Sequence, residues 1–250
     1  MNSQQPPHQQ PHQHQPVSVV IPVYPPHFDQ LPTCVGRLLR STELPCEIII
    51  AASEADSTTE AAILDSIAQQ CGADADRVPI LFASSPDVGY SGVNRNRGAA
   101  RARADIIVFL DADDFIHPQK IEMVRQCFDR FPDCKQLLHT CTPTMQLHTL
   151  DEVLGRRFSL DVSKPFRYQG DFSKQSIVKN GMRHIHRGHA TVHRSVLDAV
   201  RYKVVRHRQD NIFTKNVHRH FNQSYFLPMP LIVYNESGIA ARDAYYDDKA

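Results

Sequence analysis

Between residues 17 and 131, four short and almost wholly apolar segments alternate with segments of helical periodicity. The apolar segments are VSVVIPVY (17–24), CEIIIA (46–51), VPILFAS (78–84) and DIIVFL (105–110). Strands that are apolar on both faces are typical of parallel sheets covered by helices on both sides. The pattern therefore predicts an α/β fold of Rossmann-like type, with a mostly parallel central sheet and helices on both faces.

The segments between these strands carry helix signals. Leu31, Val35 and Leu38 fall at helical spacing, and Ser57 with Glu60 three residues later matches a capping box. Residues 91–104 and 118–131 are also predicted as helices, the latter with Pro118 in its first turn.

The pattern weakens in the second half of the chain. After QLLHTCTP (136–143), residues 143–187 show no firm period, and we expect irregular structure there, with a short hairpin. Further on, 188–200 is predicted as a strand entering a helix, 209–221 as a helix and 224–234 as an extended segment.

These patterns suggest one domain at 17–240, divided into two halves at 17–115 and 116–240. The Gln-, His- and Pro-rich residues 1–16 have almost nothing to bury and are expected to be a disordered tail. Residues 241–250 are expected to be a C-terminal tail.

Composition excludes several function classes. The chain has 28 basic and 27 acidic residues and a net charge of +1, so no overall field favours nucleic acid or an anionic membrane. Its six cysteines form no C-x-x-C pair and are expected to be reduced thiols. Because we see neither an apolar run long enough to span a bilayer nor a secretory leader, we expect a cytoplasmic protein without transmembrane segments.

Three carboxylates follow the fourth apolar segment, in the sequence DADD (111–114). Ligands of parallel α/β sheets bind beyond the carboxyl ends of the strands. Residues two apart on an extended chain face the same side, so Asp111 and Asp113 are predicted to face one ligand while Asp114 turns away. Paired carboxylates suit Mn²⁺ or Mg²⁺. The alternative is a helix cap, above all for Asp114.

At this point the sequence resembles the family 2 glycosyltransferases of the GT-A fold. The resemblance rests on VSVVIPVY, on VNRNRGAARARADIIVFLDADD with its D-x-D motif, and on GHATVHRSVLDAV followed by RQDNIFTKNV, in that order. It implies a nucleotide-sugar donor (UDP-, GDP- or dTDP-linked) bound by residues 17–115. It also implies a hydroxyl acceptor on a glycan, lipid or protein, bound by residues 116–240 with a smaller acceptor-side subregion.

The resemblance also implies donor-side roles for particular residues. Pro22, Val23 and Tyr24 would line the base, and Arg95 and Asn96 would lie near the nucleotide. Of the D-x-D pair, Asp111 would contact the ribose or the metal, and Asp113 would ligate the metal that bridges the diphosphate.

In the family an acidic pair opens the helix that carries the general base, and RQDNIF places Gln209 and Asp210 there. Asp210 is therefore the predicted base of an inverting transfer, and its alternative is a helix N-cap. Gln209 departs from the glutamate that is usual in the family. A glutamine can still form a hydrogen bond, but it lacks the negative charge.

A second departure concerns the nucleotide. Two aspartates often follow the family's second strand, whereas this chain has Ala52 and Ser53. Ser53, Glu54 or Asp56 would have to replace their hydrogen bonds, and the sequence does not select among them.

Arg183, His184 and His186 are predicted to lie on a loop that closes over the diphosphate; their alternative is a solvated basic loop. A zinc cluster of His184, His186, His189 and His193 is the competing reading, although its spacing matches no common ligand pattern.

Three alternative functions remain beside the transferase. The departures at Ser53 and Gln209 also fit an inactive module that binds a sugar nucleotide or glycan. A sugar nucleotidyltransferase would need a glycine-rich phosphate loop after the first strand, where IPVYPPHFDQ has no glycine. A phosphohydrolase that forms an aspartyl phosphate would carry its D-x-D after the first strand, not the fourth.

Overall fold

A computed structural model describes most of the chain. The described residues are 15–143, 154–159, 167–172, 185, 187–235, 245 and 247. Nearly all of the predicted N-terminal tail and much of 143–187 lie outside them, as do most of residues 241–250.

In the described ranges, eight strands form one sheet with six α-helices around it. The strands are β1 Val17–Val23, β2 Glu47–Ala52, β3 Ile80–Phe82, β4 Ile106–Phe109, β5 Phe115–Ile116, β6 Gln136–Pro143, β7 Thr191–His193 and β8 Ser224–Tyr234. The helices are α1 Leu31–Leu38, α2 Ser57–Cys71, α3 Ser91–Arg101, α4 Lys120–Arg130, α5 Val196–Ala199 and α6 Gln209–Phe221.

The strand order is β3-β2-β1-β4-β7-β6-β8-β5. Strands β1 to β4, which were predicted from the first half of the sequence, pair in parallel as β1–β2, β1–β4 and β2–β3. Strand β6 also pairs in parallel with β8. Strand β7 runs antiparallel to both β4 and β6, and β5 runs antiparallel to β8. The predicted α/β fold with a mostly parallel central sheet is confirmed.

Alternate residues of the central strands pack into two apolar clusters on opposite faces of the sheet. Val19 and Val108 belong to the cluster that contains residues of α1, α2 and α4. Val20 and Ile107 belong to the cluster that contains residues of α3, α5 and α6. Because both faces are covered, the strands must be apolar throughout, as the sequence pattern indicated.

Helix α3 approaches the sheet closely at Gly98. A Cβ atom at this position would lie 2.5 Å from Cγ1 of Val20 and 3.0 Å from Cβ of Ala51. The missing side chain therefore lets α3 pack on β1 and β2, and this packing positions the polar residues at the start of α3.

Two local predictions are wrong. Helix α2 is capped by Asp56, whose Oδ1 accepts a hydrogen bond from the Thr59 N–H at 2.8 Å, so Ser57 is the first helical residue and not the cap. Helix α4 begins at Lys120, so Pro118 precedes its first turn. The two-residue strand β5 is too short to leave a periodic signal.

None of the helices in the described ranges combines the length and the apolar character needed to cross a membrane.

Candidate functional site

A cleft opens at the carboxyl ends of the parallel strands, beside the junction of β1 and β4. From β1 the chain moves outward to β2 and β3, whereas β4 lies on the other side of β1, so the loops after β1 and β4 diverge. The cleft has a volume of about 430 Å³. Among the sequence-predicted site residues, it is lined by Pro22, Tyr24, Arg95, Asp111, Asp113 and Asp210.

Asp111 is held by a buried arginine of α3. Arg95 is only 3% exposed, and its Nη2 donates to Asp111 Oδ1 at 2.5 Å while its Nη1 donates to Ser91 Oγ at 3.0 Å. Burial disfavours the charged guanidinium, but Asp111, Tyr202 and Asp210 outweigh it and raise the pKa of Arg95. Arg95 is therefore a permanent cation that fixes one oxygen of Asp111.

The chain turns at 112–114 and does not continue as an extended strand. The assumption of an extended chain through 111–114 is therefore wrong, although Asp111 and Asp113 do line the cleft and Asp114 is not among its lining residues. Oδ2 of Asp114 lies 2.5 Å from Nε2 of His189, and Oδ1 accepts a hydrogen bond from the Asn235 N–H at 2.7 Å. The other oxygen of Asp111 lies 3.9 Å from the same His189 nitrogen.

Asp111, Asp114 and His189 form a group that could hold a metal ion. Each offers one ligand atom, and these atoms all lie within 4.8 Å of one another. Asp114 and His189 are fully buried behind the cleft, whereas Asp111 and Asp113 line it. Asp111 therefore belongs to two possible sets of metal ligands. One set is Asp111 with Asp113 in the cleft, and the other is Asp111 with Asp114 and His189.

Negative charge accumulates around Asp114. Burial, with Asp113 and Asp111 nearby, raises the pKa of its carboxyl group well above the usual value. Lys120, the first residue of α4, is fully buried in the same region, and burial lowers its pKa to about 7. A cation near these carboxylates would reduce their mutual repulsion.

Asp210 reaches the cleft from α6. The chain enters this helix through Arg208, which has a left-handed conformation (φ 59°) and occupies the N-cap position. Asp210 is the second helical residue, so it is not the N-cap that was its alternative reading. Its charge helps to raise the pKa of Arg95, whereas burial lowers the pKa of the half-buried Arg187 and the charge of Asp210 only partly offsets this.

Three residues predicted to contact the nucleotide-sugar donor, Val23, Ser53 and Asn96, do not line the cleft and form hydrogen bonds within the protein. The carbonyl of Val23 accepts a hydrogen bond from Asn94 Nδ2 at 2.9 Å, and the buried Ser53 hydroxyl donates to the Gly89 carbonyl at 3.3 Å. Asn96 pairs with the backbone of Tyr202 through two hydrogen bonds, at 2.8 and 3.0 Å. These contacts join α3 to the end of β1 and to the Tyr202 backbone, and join the segment after β2 to the segment before α3.

Of the other predicted residues, Glu54 adopts a positive φ of 51°. It directly follows Ser53, which forms an isolated parallel β-bridge with Ser85. Arg183, His184 and His186 lie outside the described residues. His193 lies on β7 with its Nδ1 2.8 Å from Ser195 Oγ, whereas His189 pairs with Asp114. These two described histidines of the zinc alternative therefore contact different partners.

Two described residues of the C-terminal segment contact the rim of the cleft. The ring of Tyr245 lies 5.0 Å from that of Tyr24, and Asp247 accepts from Arg206 at 2.6 Å. Both Tyr24 and Arg206 line the cleft.

Sequence reasoning missed the contributions of Asp114, His189, Lys120 and Ser91. His189 lies two residues before the start of β7, which pairs with β4, so the histidine arrives beside the DADD turn only through long-range strand pairing. The DADD sequence itself was the one local signal for Asp114.

Comparisons with known proteins agree with this geometry. A family model described as Glycosyl transferase family 2 matches residues 18–201. No curated protein sequence matches the chain.

Solved structures share the fold at low sequence identity. The S. aureus TarS 1–349 structure in complex with UDP-GlcNAc is 12% identical, with a TM-score of 0.64 over 88% of this chain and 58% of that one. The Mycobacterium tuberculosis glucosyl-3-phosphoglycerate synthase structure with Mn²⁺, UDP-glucose and phosphoglyceric acid is 13% identical, with a TM-score of 0.57 over 92% and 76%. This chain thus spans less than two thirds of the TarS structure. Since the family model covers most of the chain and the sheet has the expected architecture, the protein belongs to glycosyl transferase family 2 and has a GT-A fold.

Proposed function

We propose that this protein transfers a hexosyl group from a UDP-sugar to a hydroxyl acceptor, with a divalent metal and with inversion at the anomeric carbon. The observation that carries the proposal is that the D-x-D carboxylates after β4 and Asp210 of α6 line the same cleft. The names of the structural relatives add support, because they include complexes with UDP-GlcNAc, with UDP-glucose and with Mn²⁺.

The donor would lie over the parallel half of the sheet. Pro22 and Tyr24 line the cleft where β1 ends and are proposed to contact the nucleotide, with Arg95 and Asp111 beside them. Val23, Ser53 and Asn96 would act indirectly, by holding the loops that carry these contacts.

The residues present fit a divalent cation. Among the carboxylates, Asp111 and Asp113 line the cleft, whereas Asp114 is buried behind it with both oxygens hydrogen bonded. We therefore place the metal on Asp111 and Asp113, where donor phosphates can complete its shell, with Asp114 and His189 as the support behind Asp111. A bound Mn²⁺ or Mg²⁺ would act as a Lewis acid and stabilise the charge of the departing nucleoside diphosphate.

A pair of variants tests this placement. Asp113→Asn should weaken Mn²⁺-dependent UDP binding by about tenfold or more, because a charged ligand is lost at a site open to the donor. His189→Gln removes only a support of Asp111 and should weaken this binding less than Asp113→Asn does. Isothermal titration of UDP with and without Mn²⁺ measures both.

Asp65→Asn, on the exposed surface of α2, is the matched control for loss of a carboxylate. Thermal unfolding shows whether His189→Gln is folded. If a folded His189→Gln loses the Mn²⁺ effect and Asp113→Asn keeps it, the metal lies among Asp111, Asp114 and His189 instead.

Asp210 would remove the proton of the acceptor hydroxyl as it attacks the anomeric carbon. A neutral hydroxyl is a weak nucleophile, and a carboxylate within hydrogen-bonding reach increases its reactivity. Direct displacement by a hydroxyl on the face opposite the leaving group inverts the anomeric configuration.

The function as a whole is tested by a panel of UDP-, GDP- and dTDP-sugars with Mn²⁺. A donor that binds the native state should stabilise it by about 2.7 kcal/mol at a concentration 100 times its Kd, which thermal unfolding detects. Release of UDP from the stabilising donor, with Mn²⁺ and an acceptor mixture, then measures turnover. Binding without turnover would favour an inactive module, and absence of binding to every nucleotide sugar would overturn the proposal.

A further inference from the structure

The N-terminus of α3 is capped by a side chain from another helix. Gly92 is the second residue of α3, so its N–H has no acceptor within the helix, and the side chain of Tyr90 at the N-cap position does not cap it. Gln209, the first residue of α6, supplies the acceptor: the Gly92 N–H donates to Gln209 Oε1 at 2.6 Å. Gln209 is only 8% exposed.

This contact fixes which way the Gln209 amide points. A backbone N–H can only donate, so the atom that faces Gly92 must be the oxygen. The amide nitrogen then faces Ser91, and Nε2 donates to Ser91 Oγ at 2.7 Å. A Cβ atom at position 92 would overlap Gln209 Oε1, so the contact also requires glycine there.

The Ser91 oxygen consequently accepts two hydrogen bonds. One comes from Gln209 Nε2 and the other from Nη1 of Arg95, at 3.0 Å. Both donors are groups that can only donate, so the hydrogen of the Ser91 hydroxyl takes part in neither bond. Ser91 lines the cleft beside Arg95 and Asp111, so this hydrogen can be donated to a ligand bound there.

We propose that Gln209 sets Ser91 as a hydrogen-bond donor to an oxygen of the bound nucleoside diphosphate, a contact that the glutamate common in the family would remove. The inference rests on the proposed function, because it takes the ligand of this cleft to be a nucleotide-sugar donor. A glutamate at position 209 would still accept from the Gly92 N–H, but its second oxygen would accept the Ser91 hydrogen. The neutral amide thus determines the direction in which the hydroxyl donates.

The structural and functional roles of Gln209 predict opposite results for Gln209→Glu. The helix cap survives, and a carboxylate at a helix N-terminus is favourable, so thermal unfolding should stay unchanged or occur at higher temperature. Binding of UDP with Mn²⁺ should nevertheless weaken about tenfold, because the Ser91 hydrogen is no longer available to the ligand. Ser91→Ala should weaken UDP binding by a similar factor.

The double variant Ser91→Ala/Gln209→Glu is decisive, because both changes remove the same hydrogen bond. Its UDP affinity should equal that of either single variant rather than fall about a hundredfold, as it would if the losses were independent. Gln69→Glu, on the exposed face of α2, controls for added negative charge. Isothermal titration with UDP and Mn²⁺ gives the four affinities, and circular dichroism establishes folding.

The outcomes separate this inference from the proposed function. If the wild-type protein binds no UDP, GDP or dTDP in the presence of Mn²⁺, the proposed donor and this inference both fail. If the wild-type protein binds UDP but folded Gln209→Glu or Ser91→Ala binds it equally well, the inference fails and the proposed function stands. Strictly multiplicative losses in the double variant would also overturn the inference.

Discussion

Replacing Asp210 by asparagine should lower kcat for sugar transfer by a factor of about 10² to 10⁴, the range typical for loss of a general base. Asparagine keeps the size of the side chain and cannot accept the proton of the acceptor hydroxyl. Binding of UDP with Mn²⁺ should change little, because Asp210 lies on α6 and the proposed donor and metal contacts belong to β1, α3 and the DADD turn. Initial rates of UDP release and titration of UDP measure the two quantities.

Asp198→Asn provides the matched control, because Asp198 is an exposed first-turn residue of the short helix α5. It should keep wild-type kcat. A kcat for Asp210→Asn within about threefold of wild type would show that another group accepts the proton or that transfer does not require a base.

The second large effect concerns stability. Gly98→Ala should lower the free energy of unfolding by about 3 kcal/mol, because overpacking a well-packed core costs about 1 to 3 kcal/mol and occasionally more. The added methyl group would lie 2.5 Å from Val20 Cγ1, in the middle of a sheet whose strands cannot move independently. Urea unfolding followed by circular dichroism measures the change.

Gly36→Ala is the comparison within the same fold. Its Cβ would meet the Arg40 guanidinium and the Cys71 sulfur, both at 3.3 Å, and the flexible arginine can give way. Alanine is favoured over glycine in a helix by about 1 kcal/mol, so this variant should be neutral or slightly stabilised. If Gly98→Ala were as stable as Gly36→Ala, the close approach of α3 to the sheet would be wrong.

Local periodicity was sufficient to predict the elements that the core requires. Strands β1, β2 and β4 are buried on both faces, so they must be apolar throughout, and helices such as α1 carry one apolar face. The position of β7 beside β4 was not predictable in this way, because that pairing joins segments far apart in sequence and leaves no local pattern.

In the candidate site, too, residues marked by a local sequence pattern were predictable, whereas contacts between distant segments were not. Asp111 could be predicted to lie at the cleft because it directly follows a recognisable apolar segment, and Asp210 because a family motif marks its helix. Asp114 is buried behind the cleft as expected of a residue turned away from the ligand, but its contact with His189 depends on the turn at 112–114, which leaves no local pattern. The contact of Gln209 with Ser91 joins residues 118 positions apart, and it depends on how α3 and α6 pack, which the sequence pattern does not give.

The placement of β7 has a consequence for biosynthesis. On the ribosome β1 to β4 emerge first, and the edge of β4 that later pairs with β7 keeps unpaired N–H and C=O groups until the second half has been translated. We therefore expect chains that stop before β7 to aggregate, and frameshift or nonsense products of this length to be degraded by proteases. Soluble expression of such a truncated product would contradict this expectation.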